Sequence, residues 1–311
     1  MTLITINDLS VVFHGGEIVK AVDDVSFSVN RNEILALVGE TGCGKSVIAH
    51  SIMRLLPPEA VVTGNVTFEG NNIFDLSEAE MSSIRGNRIS IIFQNPSLSL
   101  NPVHKTGIQV AEPLKIHRKT KKDLALEKAA SALKKSGFAR PDLNMNLYPG
   151  ECSGGMNQRS LIAASIITEP SLIIADEPTK GLDANLISHV EKNLLSISRE
   201  KKISVLLITH DLGVARNLAD RIAIMYAGEI VEIVHADQFF DKPLHPYSLG
   251  LIRSLPENGF IPIDGESASM AEQVSGCRFS PRCPHSTFRC TDEHPPLYKR
   301  GNRKVRCFLY C

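Results

Sequence analysis

The 311-residue chain has no surplus of charge of either sign, with Lys and Arg numbering 34 and Asp and Glu 34. Its overall field therefore excludes general attraction to a polyanion, and only local patches could bind one. It also lacks an uncharged run suited to a bilayer. The longest, Ile89 to His104, is broken by Gln94, Asn95, Pro96, Ser97, Ser99, Asn101 and Pro102, whereas a spanning helix needs roughly 20 apolar residues. The start, MTLITINDLS, has no basic stretch followed by an apolar core, so no secretory signal is expected and the expected compartment is the cytoplasm. Internal repeats, low-complexity tracts and heptad runs are missing too.

What is present is ordinary globular material, 43% hydrophobic and 22% charged, with seven cysteines. Five of them (Cys277, Cys283, Cys290, Cys307 and Cys311) fall in the last 35 residues. In a reducing compartment such clustering points to metal or redox chemistry rather than disulfides. From Gly276 to Cys311, eight Lys/Arg stand against two Asp/Glu. That basic stretch reads as a solvated face or a surface for an acidic partner, not as a nucleic-acid site.

The first 250 residues alternate short β-branched runs with helical stretches, the pattern of an α/β layered domain. Strands are expected at Leu3–Ile6, Val25–Val29, Ile34–Val38, Val61–Phe68, Ile89–Phe93, Leu172–Ala175, Ser204–Ile208 and Ile222–Tyr226. Ala227-Gly228 followed by Glu229–Val234 reads as a hairpin. Continuous apolar runs such as ILALV and LIIA suit a parallel sheet covered on both faces. Between Pro102 and Pro170 the β signal disappears, and Ala111–Lys115, Lys121–Lys135 and Ser153–Thr168 read as helices. After residue 255 regular patterning fades.

Gly39-Glu40-Thr41-Gly42-Cys43-Gly44-Lys45-Ser46 fits G-x-x-x-x-G-K-[ST], after an apolar strand and before a helical VIAHSIMRLL. Backbone N–H groups in such a loop wrap a phosphate, and the helix N-terminus adds positive potential. Lys45 would reach the β/γ-phosphates and Ser46 would ligate Mg2+. Leu172–Ala175 runs into Asp176 and Glu177. An acid at such a strand end helps hold Mg2+ in P-loop hydrolases, and its neighbour can polarise water. Ser153-Gly154-Gly155 opens another helix, a second anion-binding N-terminus.

With Ser-Gly-Gly placed between the P-loop and the Asp-Glu strand, the sequence resembles the ATP-binding cassette (ABC) ATPases. The resemblance covers residues 3–255 and implies an α/β P-loop cassette of a mixed sheet core, an antiparallel β subdomain and a helical subdomain at about 103–170. It makes Gln94 in IIFQNP the glutamine that senses Mg2+ and attacking water. Asp183 in PTKGLD becomes the aspartate across a dimer, and His210 in LITHD the switch histidine. Phe13 becomes the aromatic stacked on adenine. It further implies a head-to-tail dimer with ATP between the P-loop of one subunit and the signature of the other. Glu177 would then be the general base oriented by His210, and Ser46, Gln94 and Asp176 the Mg2+ set. Cys152 replaces the usual apolar residue before Ser-Gly-Gly, Asn32 a frequent glycine, and Lys180-Gly181 the commoner Thr/Ser-Ala.

Leu244-His245-Pro246-Tyr247 through Ser254-Leu255-Pro256, then Gly276-Cys277-Arg278-Phe279-Ser280-Pro281-Arg282-Cys283-Pro284, resemble the C-terminal extension of ATP-binding subunits in the oligopeptide/dipeptide/nickel uptake branch. The linker Ile261–Ser275 departs from the proline-rich form usual there. Residues 256–311 are expected to form a small irregular extension. C-x5-C-x6-C-x16-C offers four thiolates from a segment too short for its own core. Structural zinc uses tighter pairs, so this spacing favours an iron–sulfur cluster on Cys277, Cys283, Cys290 and Cys307. The resemblance implies the 4Fe-4S type; zinc and unligated cysteines stay open.

The expectation is thus the ATPase subunit of a di- or oligopeptide importer at the cytoplasmic face of the membrane. Its implied partners are a related ATPase or a second copy, two membrane permeases and an external substrate-binding protein, with no nucleic acid. A nickel importer is the alternative. A non-transport cassette is opposed by the single short cassette, and an iron–sulfur sensor with a vestigial ATPase by intact Lys45, Glu177 and His210.

Overall fold

The computed structural model describes residues 1–271 and 274–311, so residues 272 and 273 of the linker 261–275 lie outside the described residues. The chain is α/β and divides into two compact units, one of residues 1, 30–33 and 75–207, the other of residues 2–29, 34–74 and 208–311.

The second of these units carries the glycine loop. Five of its strands lie side by side in the order Tyr298–Arg300, Arg303–Val305, Glu229–His235, Arg221–Tyr226 and Ile34–Val38. The last two are parallel, pairing Leu35 with Arg221 through Val38 with Ile224, and the other neighbours are antiparallel. Ile34–Val38 is buried along its whole length, as the run ILALV requires. The expected hairpin is present. Ala227 and Gly228 both take positive φ, 45° and 88°, and lie between the paired Tyr226 and Glu229. That turn geometry matches the twist of the flanking strands.

A second sheet in the same unit has the order Ile18–Asn30, Thr2–His14, Ala60–Phe68 and Asn71–Asn72. Its first two strands are far longer than the expected Leu3–Ile6 and Val25–Val29. A register shift between Asn7 and Ser10, with Asp8 at φ 51°, interrupts the alternation by which a strand is recognised. The segment after 255 also holds more order than its composition suggested. Arg303–Val305 pairs with the edge of Glu229–His235, Val305 opposite Glu232 and Lys304 opposite Ile233.

In the other unit, Ile89–Ile92 and Leu172–Asp176 run parallel, with residues 204–207 extended on the far side of Leu172–Asp176. Its helices Thr106–Arg118, Lys122–Lys135 and Gly154–Ile166 share a core of Val110, Ala111, Leu114, Ala125, Ala129, Leu133 and Ala163. The alanines let the helices approach closely. The first helix extends well beyond Ala111–Lys115, running through Pro113, a residue that weakens any helical reading. Helix Ala184–Arg199, not anticipated, buries Val190, Leu194 and Ile197 along one side. Among the described residues no helix is long and apolar enough to cross a membrane.

Candidate functional site

The glycine loop leaves the buried strand Ile34–Val38 and enters helix Lys45–Ile52, with Gly44 at its N-cap at φ 105°. A side chain is excluded at Gly44 twice over, because a β-carbon would also stand 2.2 Å from the Ala21 carbonyl oxygen. Lys45 is almost wholly buried, and its ammonium donates to the carbonyls of Gly39 at 2.7 Å and Glu40 at 2.8 Å. The cation is thereby held against the glycine loop, whose sequence pattern is that of a phosphate-binding turn. Burial pushes the Cys43 thiol above its ordinary pKa, outweighing the opposing charge of Lys45. Cys43 is therefore a small protonated core residue of the loop, its carbonyl accepting from Gly228 N–H at 3.0 Å. Phe13 lies half-buried at the end of Thr2–His14, opposite Ala60. His210 is exposed directly after Ser204–Thr209, and the next residue, Asp211, caps helix Leu212–Leu218 by accepting from Gly213 N–H at 2.7 Å.

In the other unit the parallel register sets Ile92 beside Ala175. Gln94, just beyond the end of one strand, and Asp176 with Glu177, at and after the end of the other, therefore emerge at the same carboxyl edge, where α/β sheets bind ligands. Asp176 and Glu177 are buried, whereas Gln94 is exposed. Glu177 takes φ 49°, an uncommon conformation for a residue with a β-carbon. The next residue, Pro178, accepts at its carbonyl from Gln158 Nε2 at 2.8 Å. Gln158 belongs to helix Gly154–Ile166, so the signature helix is tied to the loop after the acids. Ser153 caps that helix through Met156 N–H at 3.3 Å. Gly155 is buried against Leu186 of helix Ala184–Arg199, which Asp183 caps through Asn185 and Leu186 N–H at 3.0 Å each. Gly155 thus packs on the helix that Asp183 caps.

The four cysteines singled out by spacing also come together. Cys277, Cys283, Cys290 and Cys307 line one cavity of about 190 Å3, walled by His245, Pro246, Phe279, Phe308 and Leu309. Cys277 N–H donates to the Cys290 carbonyl at 2.8 Å, and the Thr287 hydroxyl lies 3.3 Å from Cys290 Sγ. Burial raises the thiols of Cys277, to about 12, and of Cys283 and Cys307. Among the described residues no three His, Cys, Asp or Glu side chains are gathered tightly enough for a single ion. Cys311 is exposed, with Arg289 Nη1 3.7 Å from its sulfur.

Two residues quoted earlier only as marks of resemblance turn out to touch the loop. Tyr247 OH accepts from Glu40 N–H at 3.2 Å, and Arg282 pairs with the Glu40 carboxylate at 3.0 Å. Neither contact has a local sequence signal, since 207 and 242 residues separate the partners.

The pattern of the ABC transporter family matches residues 22–180, and that of the oligopeptide/dipeptide transporter C-terminal region matches residues 231–290. The probable peptide ABC transporter ATP-binding protein y4tR of Sinorhizobium fredii is 41% identical, over 95% of this chain and 91% of its own length. The oligopeptide transport ATP-binding protein AppD of Bacillus subtilis is 40% identical over 99% and 97%. The dipeptide transport ATP-binding protein DppD of Escherichia coli is 37% identical over 99% and 96%. Among solved structures, a dimeric ATP-binding cassette in a post-hydrolysis state with ADP and Pi superposes with TM-score 0.69. It is 26% identical and covers 75% of this chain and 99% of its own.

Proposed function

The chain belongs to the ABC transporter family, and we propose that it is the ATP-hydrolysing subunit energising an importer of di- or oligopeptides. One observation carries this reading: a segment like the oligopeptide/dipeptide transporter C-terminal region follows the cassette in the same chain. A cassette alone says nothing of cargo.

In this reading Gly39–Ser46 takes the triphosphate of ATP, with Lys45 facing the β- and γ-phosphates. Ser46, Gln94 and Asp176 offer a hydroxyl, an amide and a carboxylate, hard oxygen donors that suit Mg2+. When bound, that ion neutralises charge developing on the β- and γ-oxygens. Glu177 accepts the proton of the attacking water, and His210 contacts the γ-phosphate and orients Glu177. Phe13 stacks on adenine. Ser153, Gly154 and Gly155, with Asp183, act on the nucleotide of a second cassette, either a related subunit or another copy. Two membrane permeases and an external binding protein complete the importer, with this subunit at the cytoplasmic face.

Cys277, Cys283, Cys290 and Cys307 hold a 4Fe-4S cluster. The support is a cavity bounded by all four thiols and otherwise largely apolar walls, which suits four dispersed irons better than one zinc ion. The group would supply a staple for a segment with few apolar contacts of its own.

ATP turnover by the assembled transporter tests the reading. Stimulation by peptide with its binding protein is expected. Stimulation by Ni2+ instead would move the chain to nickel import, and absence of turnover would leave a vestigial ATPase.

A further inference from the structure

The heptapeptide Cys277-Arg278-Phe279-Ser280-Pro281-Arg282-Cys283 ends in two of the cavity-lining thiols. Its arginines bond elsewhere, to the phosphate loop and the turn beside it. Arg278 pairs with Asp23 and, at 2.9 Å, with Glu229, and it donates to the Ala227 carbonyl. The adjoining Gly228 is the residue bonded to the Cys43 carbonyl. Arg282, 6% exposed at its side chain, places Nη1 3.0 and 3.2 Å from the two Glu40 carboxylate oxygens. Its other donors reach the carbonyls of Asp264 at 3.1 Å and Ile263 at 3.4 Å. The Ser267 hydroxyl bonds the same carboxylate.

Glu40 is the second residue of the loop, and its carbonyl accepts from the Lys45 ammonium. Its carboxylate is therefore a negative charge fixed beside the place that takes a polyanionic phosphate chain. Left uncompensated, it would repel the ligand through partly buried protein, where screening by salt is weak. Arg282 supplies the compensation from the cysteine segment, in a bonded geometry that leaves it few alternatives.

We propose that Arg282 is a positioning residue for ATP binding, acting through Glu40 to cancel and fix a negative charge at the phosphate loop. The inference rests on the reading that Gly39–Ser46 binds ATP. It makes the cysteine segment part of the nucleotide site.

The test is equilibrium binding of a non-hydrolysable ATP analogue with Mg2+ to the full chain, alongside KM and kcat in the assembled transporter. Arg282→Gln should weaken binding about threefold to tenfold, the range set by one charge acting across partly screened protein. KM should rise by a similar factor while kcat changes less than about twofold. Glu40→Gln should tighten binding, and the double variant should return to within about twofold of the original. Weakening in both single variants that persists in the double would mark Arg282 as a brace only and overturn the proposal. If Arg282→Gln does not fold, Glu40→Gln decides alone, since weaker binding there contradicts charge compensation. Lys45→Ala separates the two levels. Undiminished binding in that variant removes the ATP reading itself, whereas loss there with unaltered Arg282→Gln removes only this inference.

Discussion

Gly155 lies so close to Leu186 that a β-carbon on it would stand 2.7 Å from Leu186 Cδ1 and 3.0 Å from Cδ2. The contact couples the helix capped by Ser153 to the helix capped by Asp183, the two elements assigned to the nucleotide of a second cassette. Gly155→Ala gains at most about 1 kcal/mol of helix propensity but must swing aside the methyl tips of the partly buried Leu186, so fold stability should change little while the contact between the two helices is altered. We expect slower ATP turnover with nucleotide affinity of the isolated chain unchanged, and partial recovery on adding Leu186→Ala. Turnover equal to the original in Gly155→Ala would show that the spacing of these helices does not matter.

Glu177 and Lys45 should separate chemistry from binding. Glu177→Gln retains the size of the side chain but cannot accept a proton, so it should keep ATP binding and lose at least about 100-fold in turnover. Lys45→Ala should lose binding. Steady-state hydrolysis and equilibrium binding check both, and undiminished turnover in Glu177→Gln would remove that residue from the catalytic role.

The cysteine cavity predicts bound iron. Chain purified anaerobically should be coloured and contain about four irons per chain, and Cys290→Ser should lose most of them. A colourless, iron-free preparation would contradict the cluster. Equivalent zinc in its place would assign the thiols to that ion.

His245 gives the protein a pH-dependent stability. Its Nδ1 accepts Tyr247 N–H at 3.0 Å. Burial pushes its pKa from the ordinary 6.5 down to about 3. Between those values the unfolded chain binds a proton that the folded chain does not. Stability is therefore complete above about pH 6.5 and falls as the pH drops toward 3, by up to about 1.4 kcal/mol per pH unit. Urea denaturation from pH 4.5 to 7.5 should show this slope. His245→Asn, which keeps a capping acceptor, should flatten it. An unchanged slope in the variant would assign the effect to other groups.

The local parts of the cassette were legible in the sequence. Gly39–Ser46 is contiguous, ILALV declares a buried strand, and Asp176-Glu177 ends another, so pattern and chemistry coincide within a few residues. The contacts that assemble these parts were not. The approach of Gly155 to Leu186 depends on two helices meeting, and the Arg282–Glu40 pair bridges 242 residues. Cys307 reaches the cavity because Arg303–Val305 adds to the edge of Glu229–His235. Three residues, two of them basic, carry no alternation from which to read a strand. Helix Ala184–Arg199 was missed although its buried Val190, Leu194 and Ile197 follow helical spacing. Asn185 weakens its opening turn, and Asp183, its cap, lies in a stretch whose resemblance is to a loop facing a partner.

The most direct test of the central claim is uptake by proteoliposomes carrying this subunit with its partner cassette, permeases and binding protein, given labelled dipeptide and Ni2+ in competition. The account predicts ATP-dependent dipeptide accumulation, abolished by Glu177→Gln and indifferent to Ni2+. Accumulation of Ni2+ that dipeptide does not suppress, or dipeptide uptake undiminished in Glu177→Gln, would contradict it.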